Sequence, residues 1–157
     1  MKSALRDGMP AAEAQDLAMT ERVLSVWVPG RPVPKPRPSR AKAGHYYTPD
    51  TGYEELVAGR WIEAHGKDPI PADVPVSLTL GFFFKRVSRR PDIVNLIMAV
   101  CDALQGVAYE DDGQIVHLQA QKLQSSPPQG EGCEIWVARL FKPEGTSWTR
   151  HGRILEG

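Results

Sequence analysis

Asp92-Ile93-Val94-Asn95-Leu96-Ile97-Met98-Ala99-Val100-Cys101-Asp102-Ala103-Leu104 is the stretch that decides how this chain is read. At 100° per residue, Ile93, Leu96, Ile97, Val100 and Leu104 fall within about 100° of arc, which makes a core-facing stripe. Asp92 stands where a carboxylate meets the free N–H groups and the positive dipole end of a first helical turn. Gly106 ends the helix. Upstream, Val74 to Lys85 reads as a long strand closing on Phe82, Phe83 and Phe84. Downstream, Gln114 to Lys122 alternates and reads as another strand. The centre of the chain therefore runs strand, helix, strand.

Further out, Arg22 to Val28 alternates as a first strand and Pro29-Gly30 ends it. Residues 31–45 interleave Pro32, Pro34, Pro36 and Pro38 with Arg31, Lys35, Arg37, Arg40 and Lys42. Four prolines forbid both helix and central strand, so this is an extended, semi-rigid basic loop. Residues 50–66 recover helical spacing, with Tyr53, Leu56, Val57, Trp61 and Ile62 on one side, Asp50 as cap and Gly66 as stop. Cys133 to Leu140 is a last strand, expected to pair with Gln114–Lys122 across the loop at 125–130. Trp27, Trp61 and Trp136 fall at buried positions of their elements, and Phe82, Phe83 and Phe84 read as core and dimer interface. The order β-α-β-α-β-β predicts an α+β fold, a small mixed β-sheet with packed helices. It places one domain at 21–141, between tails at 1–20 and 142–157.

The whole chain has 157 residues, with 19 basic and 19 acidic side chains. That length suits one core. The cancelled charge excludes a bulk polymer-binding tail but not a local basic surface. Cys101 and Cys133 fit neither a zinc site nor a disulfide framework, so both read as reduced structural thiols. His45, His65, His117 and His151 share no metal-site spacing. No apolar run reaches the roughly 18 residues that span a bilayer. The first twenty residues contain Asp7, Glu13 and Asp16 and no apolar signal segment, so the expected location is cytoplasmic, with no membrane partner.

The chemistry-bearing residues are clustered in the sequence. Asp92 opens the central helix, and Glu110, Asp111 and Asp112 follow it in the turn entering the next strand. A helix that leaves and a strand that returns are expected to bring these groups to one edge of the sheet. Gathered carboxylates bind hard cations such as Mg²⁺. Basic clusters flank them, at 31–42 and at Lys85, Arg86, Arg89 and Arg90. A carboxylate-held metal beside a basic surface suits phosphodiester cleavage, with the cations neutralising neighbouring phosphates. From pattern alone, Asp92 is better explained as a plain helix cap, and Lys35, Arg37 and Arg40 are also readable as only a solvated charged loop.

Three separated motifs carry a more specific resemblance. Arg90-Pro91-Asp92-Ile93-Val94-Asn95, Asp102-Ala103-Leu104-Gln105-Gly106 and Tyr109-Glu110-Asp111-Asp112-Gly113-Gln114-Ile115 follow in order. Near the amino end stand Pro29-Gly30-Arg31-Pro32-Val33-Pro34-Lys35-Pro36-Arg37-Pro38 and Tyr47-Thr48-Pro49. Over residues 22–140 the chain resembles the RusA family of Holliday-junction resolvases. The resemblance implies a homodimeric, Mg²⁺-dependent endonuclease of recombination and repair, often encoded by prophages, that cuts four-way DNA junctions symmetrically. It implies Asp92 and Asp112 as catalytic metal ligands, with Asp111 beside them. Lys35, Arg37, Arg40, Arg86, Arg89 and Arg90 become the expected phosphate contacts.

The chain departs from the family pattern at two positions. That pattern, Asp-x-Asp-Asn-x-x-Lys, reads here Asp92-Ile93-Val94-Asn95-Leu96-Ile97-Met98. Val94 occupies the place of the second aspartate and Met98 the place of the lysine. Both point more than about 100° away from the apolar stripe, onto the face shared with Asn95 and Asp102. One reading covers that face with a dimer partner or with the basic loop. The other takes it as a site that has lost two catalytic groups. It predicts a chain that folds and binds junctions but cuts poorly, since one stabilising group is typically worth on the order of 10²–10³ in rate. The alternative function is a catalytically silent junction-binding protein.

Overall fold

Strand β1 (Thr20–Pro29) opens the described part of the computed structural model, which covers residues 20–36, 39–40, 46–47, 51–140, 146–148 and 154–156. Two-residue strands β2 (Ser39–Arg40), in the basic segment, and β3 (Tyr46–Tyr47), just after it, pair with each other. They are followed by α1 (Tyr53–His65), β4 (Val76–Phe84) and α2 (Ile93–Leu104). Next come a 3-10 turn (Asp112–Gln114), β5 (Ile115–Gln124) and β6 (Gly132–Leu140). The short strands β7 (Thr146–Trp148) and β8 (Ile154–Glu156) form a separate ribbon in the segment expected to be a tail.

The main sheet has the order β1-β6-β4-β5. β6 is antiparallel to both β1 and β4, while β4 and β5 are parallel, with α2 as the connection between them. This is the expected small mixed sheet with helices, an α+β fold. One pairing differs from expectation: β6 does not lie against β5. Its residues are buried almost without a break, as a central strand requires, whereas β5 keeps Val116 and Leu118 exposed at the sheet edge. The connection from Ser125 to Glu131 carries the chain past the end of β4, where the Ser125 N–H donates to Phe84 O at 2.7 Å.

One core joins the helices to the sheet. It contains Tyr53, Val57 and Trp61 from α1 and Leu96, Ala99, Val100, Ala103 and Leu104 from α2. From the sheet it takes Val26, Val28, Val76, Leu78, Leu80, Phe82, Phe84, Ile135 and Val137. α1 buries a narrower stripe than expected: Tyr53, Val57 and Trp61, each four residues from the next, are its buried positions. Leu56 and Ile62 flank that stripe and stay exposed. Gly52, with φ +74°, stands at the amino end of α1 in place of the expected Asp50, which lies outside the described residues. Trp61 is buried, but Trp27 and Trp136 are only half-buried. Trp27 meets Phe83 edge-on at 5.6 Å and lies over Gly132, where a Cβ would collide with the indole. Both cysteines are free, and burial pushes both thiols up, away from the reactive thiolate. No described helix is long and apolar enough to cross a membrane.

Candidate nucleic-acid and active site

The amino end of α2 forms one wall of an open groove. Asp92 caps the helix, its Oδ1 accepting the Val94 N–H at 2.9 Å. Arg90, Pro91, Asp92 and Asn95 face Arg31 to Pro36 of the basic segment across a space of about 540 Å³. Arg86, Arg89 and Arg90 are solvent-exposed on the turn leaving β4. Lys122 of β5 shapes that turn by donating to Ser88 O at 2.6 Å and Pro91 O at 3.1 Å. Arg31 lies over the Phe84 ring at 5.1 Å and pairs with Glu131 at 3.1 Å.

Lys35 is placed differently from the other expected phosphate contacts. Its ammonium meets Asp102 Oδ2 at 2.6 Å and Glu54 Oε1 at 2.9 Å. These two carboxylates raise its pKa above the ordinary lysine value, the hydrogen bond to Asp102 contributing most. Its backbone N–H donates to Asn95 O at 2.8 Å. Arg37 and the side chain of Arg40 lie outside the described residues, as do His45 and His151.

The acidic turn is built at the other end of α2. Gln114 is buried, and its side-chain amide donates to Ile70 O, Pro71 O and Val74 O at 3.2, 2.7 and 3.0 Å. Its Oε1 accepts the Asp111 N–H at 2.8 Å, and the Asp111 side chain completes a reciprocal cap. The Asp112 N–H donates to Gln105 Oε1 at 3.2 Å, next to the last turn of the helix. Glu110 is spent on structure, its carboxylate accepting the Ala72 N–H at 2.8 Å.

Asp92 and Asp112 thus stand at opposite ends of a helix about 18 Å long. The expectation that helix and returning strand gather the carboxylates fails within one chain, because the turn closes on the carboxyl end of α2. Among the described residues no group of three or more His, Cys, Asp or Glu side chains is placed to hold a metal ion. The donors have the hard-oxygen chemistry Mg²⁺ prefers, but a single chain does not assemble them around one point.

Val94 and Met98 lie on the solvent face of α2, 59% and 47% exposed. The chain's own basic segment reaches that face through Lys35, at Asn95 and Asp102, but leaves Val94 and Met98 exposed. Sequence reasoning missed Asp102, Glu54, Lys122 and Gln114 as determinants of the site. Asp102 had a visible signal, since it falls two turns beyond Val94 on the same helix face. Lys122 and Gln114 act through backbone carbonyls distant in sequence, which no local pattern reveals, although Gln114 falls within the third motif.

Comparison with individual curated proteins gives no match. A family model described as endodeoxyribonuclease RusA matches residues 29–134, about two thirds of the chain. That span runs from the end of β1 to β6 and includes both walls of the groove, α2 and the acidic turn. The chain belongs to the RusA endodeoxyribonuclease family.

Proposed function

We propose that this protein is a structure-specific DNA-binding member of its family that engages four-way junctions as a homodimer, and that Val94 and Met98 impair its Mg²⁺-dependent cleavage. The observation that carries this reading is the groove at the amino end of α2. Exposed arginines line or flank it, while the first two exposed positions of α2 hold valine and methionine. Among the described residues, Arg86, Arg89 and Arg90 are exposed candidates for phosphate contacts, and phosphate neutralisation supplies a large share of nucleic-acid affinity. Valine offers a metal no oxygen, and methionine offers a developing charge no cation.

A junction is itself symmetric, so paired cuts suit a twofold dimer. Twofold pairing also answers the separation of Asp92 from Asp112, since it can set the amino end of one α2 beside the carboxyl end of the other. The alternative, a silent junction-binding protein, shares every binding property and differs only in nicking. The test is binding of labelled four-way junction, fork, flap and duplex across a salt series, with Mg²⁺-dependent nicking and sedimentation of the free protein. The proposal expects junction preference, affinity falling steeply with salt, a dimer, and weak nicking. A monomer, or equal affinity for duplex and junction, would contradict it. Nicking at the duplex-control background would favour the silent alternative.

A further inference from the structure

Lys35 sits in the middle of the basic segment, yet its ammonium does not face the groove as a bare charge. It has three N–H donors, and two of its partners are the carboxylates of Asp102 on α2 and Glu54 on α1. One positive against two negative charges makes this spot locally acidic, a poor place to hold a phosphate. The same residue ties the main chain down, through its N–H to Asn95 O. At the other end of the segment, Arg31 is held by Glu131 and Phe84, and the Gly30 N–H donates to Glu131 O at 3.0 Å. Between the two anchors run Pro32, Val33 and Pro34, with Val33 packed on the core. Prolines limit the conformations of such a strap, so fixing its two ends fixes its course.

We infer that Lys35 and Asp102 are positioning residues for DNA binding, a latch that pins the proline-rich segment across α2 and thereby sets the width of the groove between Arg31 and Arg90. Lys35 acts through the segment it anchors and not as a phosphate contact. The part of this inference that concerns DNA rests on the junction reading above; the latch itself does not. Asp102→Asn separates the two roles by sign. If Lys35 binds phosphate directly, deleting the neighbouring negative charge leaves junction affinity unchanged or raises it. If Lys35 is a latch, the same deletion lowers affinity, by roughly threefold for a partly exposed ion pair.

The experiment uses the full chain and compares parent, Asp102→Asn, Lys35→Met and Lys35→Arg. Junction affinity is measured across a salt series, and amide exchange at Lys35 is measured without DNA. The latch predicts weaker binding by Asp102→Asn and Lys35→Met at an unchanged salt slope, with recovery in Lys35→Arg, which still reaches both carboxylates. It also predicts faster exchange of the Lys35 amide in the first two variants, with core amides such as Leu80 unaltered as a control for folding. Tighter binding by Asp102→Asn would overturn it, and so would a salt slope about one unit shallower in Lys35→Met. If the parent does not bind junctions, the functional reading fails by itself, and the exchange rate at Lys35 still decides whether the latch exists.

Discussion

The two ends of α2 are built on opposite principles. At the carboxyl end, Gln114 spends its whole amide on three carbonyls and one N–H, and the Glu110–Asp112 turn is tied to residues 70–74 from several directions. At the amino end, Asp92 makes one capping bond, the arginines around it are exposed, and the next solvent-facing positions along the helix are apolar. The closed end has used its polar groups to fix its own shape. The open end leaves its arginines exposed. An acidic cluster in sequence therefore does not mean an acidic cluster in space, because the polar lock that orders Asp111 and Asp112 also holds them away from Asp92.

The contrast can be broken in several ways. With aspartate and lysine restored at positions 94 and 98, a further Asp92→Asn change should reduce Mg²⁺-dependent junction cleavage by about 10² or more. Because asparagine caps as well as aspartate, urea unfolding should be nearly unchanged. A large stability loss there would show Asp92 to be structural only. Gln114→Ala should cost about 2–4 kcal/mol in urea unfolding, since it strands several buried groups at once. A loss under 1 kcal/mol would mean that the closed end is held by other contacts. Asp92→Ala removes only one cap and should cost about 1 kcal/mol. Replacing Arg86, Arg89 or Arg90 singly with glutamine should change stability by less than about 0.5 kcal/mol. Each replacement that removes a phosphate contact should flatten the salt dependence of junction binding by about one unit of slope. An unchanged slope in all three would place the DNA elsewhere.

Much of this was legible in the chain. The α2 stripe, the Asp92 cap and the Gly106 stop follow from local rules of periodicity and capping, and the structure keeps them. So does the proline-rich segment, which forms no helix in its described part and only a two-residue strand pairing. The β6 partnership was not legible, because sequence proximity favours a hairpin with β5, while continuous burial on β6 demands a place between β1 and β4. Lys35 misled for a related reason. Its neighbours in sequence are basic, but its neighbours in space are Glu54 and Asp102, which nothing in the linear order brings to it. The separation of Asp92 from Asp112 depends on where a turn closes, and that was set by Gln114 and carbonyls some forty residues away.

The most direct test of the account is a side-by-side measurement of junction binding and Mg²⁺-dependent cleavage by this chain and by its Val94→Asp/Met98→Lys variant. Both substitutions fall on exposed positions, so both proteins should fold and bind junctions alike. The account predicts that the variant cuts the junction at least about 10² faster than the parent. Equal cleavage by the two would contradict it, because Val94 and Met98 would then not occupy the positions where cleavage is decided.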